Sequence, residues 1–465
     1  MPHKISFLLL TFILSLAMAA QAQYEPNWAS LDRRTTPVWF DEAKFGIFIH
    51  WGVYSVPAWG PKGTYAEWYW RHIESGRANL VAQPELRAFW EHHQRFYGAN
   101  FSYRDFAPQF KAELFDADQW ADLFARAGAK YVVLTTKHHD GFTLWPSAQS
   151  EGWNAVAVGP RRDLVGDLSK SVKARNLKMG LYYSLYEWFH PDYREQVNND
   201  GERRSVGRYV NDHMHPQLRD LVTRYQPALL WADGDLDHNS SIWQSADFLA
   251  WLYNNAANPN ELVVNDRWGK DARSRYGSFF TREYGKTGVA DTGVTGGKWE
   301  DTRGMGYSFG YNRNEDVRDY TSATELIHEL IETVSRGGNF LLDIGPTADG
   351  RIPIFMQDRL LEIGNWLNVN GEAIYATTPW RVTGEADQIF YTRKGTDVYA
   401  FALRWPGSEL TLKGARALSG LTVRLLGHPA PLNWRNVNGN LTIEMPSNAP
   451  ANNRHAYVFK LNAVE

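Results

Sequence analysis

The chemistry-bearing side chains of this sequence sit where short apolar runs stop. Phe45-Gly46-Ile47-Phe48-Ile49 stops at His50-Trp51-Gly52, and the run from Tyr131 to Thr136 stops at Lys137-His138-His139-Asp140. The run at Leu181 carries Tyr182 and Tyr183. The run from Ala228 contains Trp231 and stops at Asp233-Gly234, and Leu262-Val263-Val264 stops at Asn265-Asp266-Arg267-Trp268. Carboxylates among His, Arg and flat aromatic rings suit a carbohydrate: the rings offer stacking faces and the polar groups offer hydroxyl partners. The same residues have plainer uses. Asp233 is a favoured N-cap for a following helix. His138 and His139 are adjacent, so in an extended strand they point to opposite faces. The sequence has no H-E-x-x-H motif. Its one H-x-H, His213-Met214-His215, lies just before a predicted helix without nearby partner ligands, so no metal is expected.

The elements that must position these residues repeat as helix–strand units. Trp120, Leu123, Phe124 and Ala127 recur with helical spacing from Asp116, and Gly128 stops the helix. The strand from Tyr131 that follows is apolar without alternation, as in strands buried on both faces of a parallel sheet. Predicted helices at 163–175, 216–225 and 246–253 lead in the same way into the runs at Met179, Ala228 and Leu262. Ser322 and Glu325 form a capping box for a helix that leads into Asn339-Phe340-Leu341-Leu342-Asp343-Ile344. Sustained alternation predicts an α/β protein with a parallel barrel or doubly wound sheet. No G-x-G-x-x-G turn follows any predicted strand, which argues against a dinucleotide site. After Pro379-Trp380 short strands separated by turn residues take over, at 388–392, 397–402, 421–426 and 456–461, and predict a small antiparallel β-sandwich.

Composition excludes several classes. The chain has 465 residues, 43% hydrophobic and 22% charged, the texture of a globular protein. A net charge of -3 provides no basic field for nucleic acid. With no cysteine, disulfides, thiolate nucleophiles and cysteine-held metals are excluded. There are 20 Trp, 23 Tyr and 23 Phe, which serve sugar stacking or large cores alike. Lys4, the largely apolar run from Ile5 to Ala20 and the Ala20-Gln21-Ala22 cleavage pattern predict a signal peptide over residues 1–22. Export without disulfides fits a bacterial periplasm, and no later stretch is apolar enough for membrane insertion. Nothing in the sequence specifies an oligomeric interface.

Taken in order, the motifs resemble the retaining α-L-fucosidases of glycoside hydrolase family 29. The resemblance rests on Phe45 to Gly52, Glu67-Trp68-Tyr69, Phe106-Ala107-Pro108, Thr136 to Phe142, Leu230 to Asp233, Asn265 to Gly269 and Lys298-Trp299-Glu300. Ser308 to Arg313, Gly337-Gly338-Asn339 and Asn370 to Tyr375 extend it over nearly the whole mature chain. It implies a (β/α)₈-like TIM barrel over residues 23–380, a C-terminal β-sandwich over 381–465, and exo-acting removal of terminal α-L-fucose from a fucosylated oligosaccharide or glycoconjugate, with no cofactor.

The resemblance also implies roles. Asp233 would be the nucleophile of a double displacement. Two carboxylates, both read as lying in loops, compete as acid/base: Glu283 and Glu300. Thr281-Arg282-Glu283-Tyr284 resembles the Thr-x-Glu-Tyr segment of some bacterial members, which favours Glu283. His50, Glu67, Trp68, His138, His139, Tyr183, Trp231 and Arg267 would bind ring hydroxyls or support Asp233. Phe309, with Phe48, would face the C6 methyl. Two other classes compete: a carbohydrate-binding protein on an inactive scaffold, and a metal-dependent hydrolase using His138, His139 and Asp140.

Overall fold

A computed structural model describes residues 23–78, 83–194, 206–285, 297–450 and 454–465. The expected signal peptide, residues 1–22, lies outside the described residues. Among these, eight strands form one all-parallel sheet: β1 (Phe45–Ile49), β2 (Tyr131–Lys137), β3 (Lys178–Ser184), β4 (Leu229–Asp233), β5 (Val263–Val264), β6 (Phe280–Glu283), β7 (Trp299–Gly304) and β8 (Asn339–Ile344). Their order is β5-β4-β3-β2-β1-β8-β7-β6. The first strand pairs with both the second and the last, so the sheet curls round on itself. Its edges meet at a seam, where the Ser278 N–H donates to the Val264 carbonyl at 2.8 Å. The result is a TIM-like barrel.

Helices Ala117–Arg126, Leu164–Ala174, His215–Tyr225, Ser245–Asn255 and Ala323–Ser335 alternate with these strands, close to the expected ranges. The Ser322–Glu325 capping box is formed: the Ser322 hydroxyl accepts from the Glu325 N–H, and Glu325 Oε2 accepts from the Ser322 N–H at 3.0 Å.

Strand parity sorts the barrel into two cores. Phe48, Tyr131, Val133, Tyr182, Leu229, Trp231 and Leu341 point inward and pack together with Phe40 and Phe279. Ile47, Ile49, Val132, Leu134, Leu181, Tyr183, Leu230 and Leu342 point outward into the layer under the helices. Both faces being buried is why these strands read as apolar without alternation.

Two barrel strands depart from the sequence reading. Glu283 and Glu300, expected in loops, lie on β6 and β7. Phe280-Thr281-Arg282-Glu283 and Trp299-Glu300-Asp301-Thr302-Arg303 carry too many charges to resemble a buried strand. The register pairs Thr281 with Glu300 and Glu283 with Thr302, so Glu283 stands one layer nearer the open end of the barrel.

The C-terminal part begins with β9 (Thr378–Glu385), β10 (Ile389–Lys394) and β11 (Asp397–Ala402). It continues with β12 (Glu409–Leu412), β13 (Val423–Leu425), β14 (Pro431–Leu432), β15 (Trp434–Val437), β16 (Asn440–Glu444) and β17 (Tyr457–Leu461). One sheet has the order β14-β13-β17-β11-β10-β9 and the other β12-β16-β15, an antiparallel sandwich. Alternate residues of β11 serve different cores: Val398, Ala400 and Ala402 fill the sandwich, whereas Tyr399 and Phe401 pack on the barrel core. Val458 of β17 joins them, and the Trp366 indole donates to the Ala456 carbonyl at 3.0 Å. Phe401 is fully buried at this junction. Replacing Phe401 with Ala is expected to lower stability by about 3–5 kcal/mol. Urea titration checks it; a loss below about 1 kcal/mol would mean that the junction contributes little.

Candidate active site

At the C-terminal ends of the barrel strands lies a cavity of about 380 Å³. In a parallel barrel this end carries the chemistry, because every strand there delivers a side chain and a loop. Roomier clefts of about 590 and 810 Å³ open elsewhere, the first at the N-terminal ends of β3 and β4. Neither brings together paired carboxylates, His and aromatic rings as this one does.

Its centre is Arg267, which follows β5 and is almost fully buried. The guanidinium lies over the Trp231 ring at 4.5 Å. Its Nε donates to Thr281 Oγ1 at 2.9 Å, its Nη1 to Asp233 Oδ1 at 2.9 Å, and its Nη2 to Glu283. Asp233 ends β4, and its Oδ2 accepts from the Tyr182 hydroxyl at 2.8 Å. It does not cap a helix; the next one starts at Ser240. Burial alone would push the Asp233 carboxyl up, but the Arg267 guanidinium and the Tyr182 hydrogen bond outweigh it and hold the carboxyl well below the usual range. Gly234 follows with φ +73°, and a Cβ there would come 2.9 Å from the Tyr186 ring, so the turn that presents Asp233 needs glycine.

Three histidines face the cavity as neutral rings. Burial lowers His50 to about 3 and His139 to about 4, and drives His138 well down. The Ser184 hydroxyl donates to the Tyr186 carbonyl at 2.8 Å, so at its 2.7 Å contact it accepts from His139 Nδ1–H. His139 Nε2 is left as an acceptor, 3.6 Å from Asp233 Oδ2. His50 Nδ1 pairs with Asp343 Oδ1 of β8 at 2.6 Å, which fixes its ring. His138 and His139 both line the cavity because they lie past the end of β2, outside the pleat that would separate them. Gly141, at φ +76°, completes that turn; a Cβ there would lie 2.6 Å from Glu187 Oε2.

On the other wall, burial pushes the Glu67 carboxyl up to about 7. Glu67 Oε2 accepts from the Ser308 hydroxyl and the Gly310 N–H, both at 2.9 Å. Phe309 lies between them in sequence, and its ring packs 5.0 Å from that of His50. Trp68 meets His139 and Trp188 edge-on.

Of the residues singled out from the sequence, His50, Glu67, Trp68, His138, His139, Trp231, Asp233, Arg267, Glu283 and Phe309 line this cavity, as does Phe48. Tyr183 does not. It points outward, donates to Gln217 Oε1 at 2.8 Å and lies under the Lys137 ammonium; Tyr182 is the inward neighbour. Tyr182 stands among the strand-end residues of the sequence but without a binding role, and Asp343, Tyr65, Tyr186, Asp235 and Asp237 carry no sequence signal of a site. Register in the barrel pairs Tyr182 with Trp231 and Ser184 with Asp233, which turns Tyr182 inward. Asp140 turns away, accepting from the Tyr103 hydroxyl at 2.7 Å, so it forms no ligand set with His138 and His139. His213, by contrast, does have nearby ligand groups: Glu187 and His190 gather with it. Glu187 Oε1 already takes His213 Nε2 at 2.6 Å and Lys137 Nζ at 3.0 Å, an arrangement of a buried ion-pair network that disfavours a cation.

Glu300 lies beneath the cavity, not in its wall. Trp231 Nε1 donates to its Oε1 at 3.0 Å and the Tyr131 hydroxyl to its Oε2, and burial pushes its carboxyl from 4.5 up to about 7. Because the folded state holds this proton more tightly than the unfolded chain, the group's contribution to stability falls as pH rises from about 4.5 to 7, then levels off. Glu300→Gln, which cannot titrate, is expected to gain on the unsubstituted protein by on the order of 3 kcal/mol between pH 4.5 and 7. Urea unfolding at pH 4.5 and 7.5 measures this; a difference independent of pH would refute the buried neutral carboxyl.

Comparison with known proteins covers both parts of the chain. The family model for alpha-L-fucosidase matches residues 11–372 and that for the alpha-L-fucosidase C-terminal domain matches 384–462. The chain is 43% identical to alpha-L-fucosidase of Dictyostelium discoideum over 97% of this chain and 98% of that one. It is 44% identical to human tissue alpha-L-fucosidase over 98% and 97% of the two chains. The crystal structure of Thermotoga maritima alpha-fucosidase in complex with fucose superposes with a TM-score of 0.78 at 38% identity, covering 94% of this chain and 100% of that one. The chain therefore belongs to the alpha-L-fucosidase family of glycoside hydrolases.

Proposed function

We propose that this protein is an exo-acting α-L-fucosidase that releases terminal α-L-fucose from fucosylated glycans with retention of configuration, Asp233 acting as nucleophile and Glu283 as acid/base. The observation that carries the reading is the shared guanidinium. Arg267 touches both carboxyls, which brings them to the same end of one cavity, and a retaining reaction needs such a pair roughly 5–5.5 Å apart. Asp233 is held ionised, as an attacking carboxylate must be. A cavity of about 380 Å³ at the end of the barrel suits a single terminal sugar rather than the interior of a chain. In the first step Asp233 attacks the anomeric carbon while Glu283 protonates the departing oxygen; to do so, Glu283 exchanges its contact with Arg267 for that oxygen. In the second step Glu283 takes a proton from water, which attacks the glycosyl-enzyme. The leader motif supports export, with cleavage before Gln23.

A second reading assigns the acid/base role to Glu300, whose carboxyl near 7 is well matched to proton transfer. Access argues against it: Glu300 is fully buried and both its oxygens are engaged below Trp231.

Kinetics separate the two. Glu283→Ala is expected to form the glycosyl-enzyme from an activated aryl fucoside but to hydrolyse it slowly, and azide should restore turnover as α-fucosyl azide. Loss on substrates with poor leaving groups should be about 10²–10⁴-fold. Glu300→Ala should lower activity on all substrates alike, without rescue. Azide rescue of Glu300→Ala and not of Glu283→Ala would reverse the assignment. A first-formed β-fucose, seen by NMR, would overturn the retaining mechanism itself.

A further inference from the structure

We propose that Tyr307, backed by Tyr65, forms an acceptor subsite that receives the pyranose ring of the leaving group. The proposal deepens the reading above and rests on Glu283 as the acid. A group that protonates the departing oxygen must stand beside it, so the leaving sugar exits past Glu283. The residues on that lip are aromatic. Tyr65 lines the cavity, and burial first, then the charge of Glu283, push its hydroxyl up. The Tyr65 and Tyr307 rings stack at 5.4 Å with 22° between their planes. Tyr284, which directly follows Glu283, stacks on Tyr307 at 5.9 Å and 21°, and its hydroxyl donates to the Tyr307 carbonyl. The backbone N–H of Tyr307 is held by Glu315 Oε1 at 3.2 Å.

Tyr307 thus rests against Tyr65 and Tyr284, yet it is 47% exposed. A large ring held rigid in solvent beside a cavity mouth is a prepared binding surface, since docking on it demands no reordering. Phe309, two residues on, belongs to the cavity wall and packs 5.8 Å from Tyr65 and 5.5 Å from Tyr284. One short segment therefore runs from the fucose pocket to the rim. The occupant is a neutral pyranose: the exposed aromatic surface receives the C–H groups of a sugar's apolar face, and the phenol hydroxyls pair with its hydroxyls.

The test compares two substrates on one preparation of Tyr307→Ala. One is a fucosyl disaccharide. The other is α-L-fucosyl fluoride, whose one-atom leaving group reaches no acceptor subsite. The ratio of kcat/KM on the disaccharide to that on the fluoride is expected to fall about tenfold, equivalent to ~1.4 kcal/mol, and to stay within about twofold in Tyr307→Phe. Partial misfolding lowers both rates and cancels in the ratio. An unchanged ratio in Tyr307→Ala overturns the subsite and leaves the fucosidase reading intact. Failure of the unsubstituted protein to turn over either substrate overturns that reading, and the subsite with it.

Discussion

The open end of the barrel depends on one buried guanidinium. Arg267 comes from the loop after β5, at the seam where the sheet has no strand-to-strand ladder. It links carboxylates from β4 and β6, strands on opposite sides of that seam. Trp231 beneath it and Thr281 at its Nε leave it no other orientation. Removing one partner of such a buried group costs about 3–5 kcal/mol, because the remaining charge is left unpaired. The same residue therefore closes the barrel and sets the distance between the two groups assigned to the chemistry.

A second constraint is charge. Sugars are neutral, and a pocket crowded with ions would bind water in preference to hydroxyls. Burial answers this by keeping His50, His138 and His139 as neutral rings and by raising Glu67, Glu300 and Asp343. Asp233 escapes the trend because the Arg267 guanidinium and the Tyr182 hydroxyl favour its anion. The charges that remain in the lining are paired: Arg267 holds Asp233 and Glu283, and Arg273 holds Asp235.

Much of this was legible in the sequence, and the failures share a cause. Helices, the strands rich in β-branched residues and the change of texture near residue 380 follow from hydrophobic periodicity. Strand β6 and strand β7 escaped it because their inward faces carry function rather than core, so Glu283 and Glu300 looked like loop residues. Tyr182 and Tyr183 are chemically identical; only the pleat, anchored by Trp231 and Asp233 on the neighbouring strand, decides which one enters the site. His138 and His139 show the opposite error. The pleat ends at Lys137, one residue before them, and both rings enter. Asp343 reads as one polar residue in an apolar run; its pairing with His50 links positions 293 residues apart, beyond the reach of any local pattern.

A displaced pKa does not by itself mark a catalytic group in such a barrel. Glu67 and Glu300 both rise to about 7 and Asp140 to about 6, and in each the leading cause is burial. Equal electrostatics thus accompany three different situations. Glu67 borders the cavity with one oxygen tied to Ser308 and Gly310, Asp140 is turned toward Tyr103 and the Phe142 N–H, and Glu300 is sealed under Trp231. Access to the anomeric centre, not the ease of protonation, distinguishes them. Glu283, half-buried and level with Thr302, reaches the cavity and is the carboxyl the proposal makes the acid, while Glu300 one layer below holds the tryptophan on which Arg267 rests.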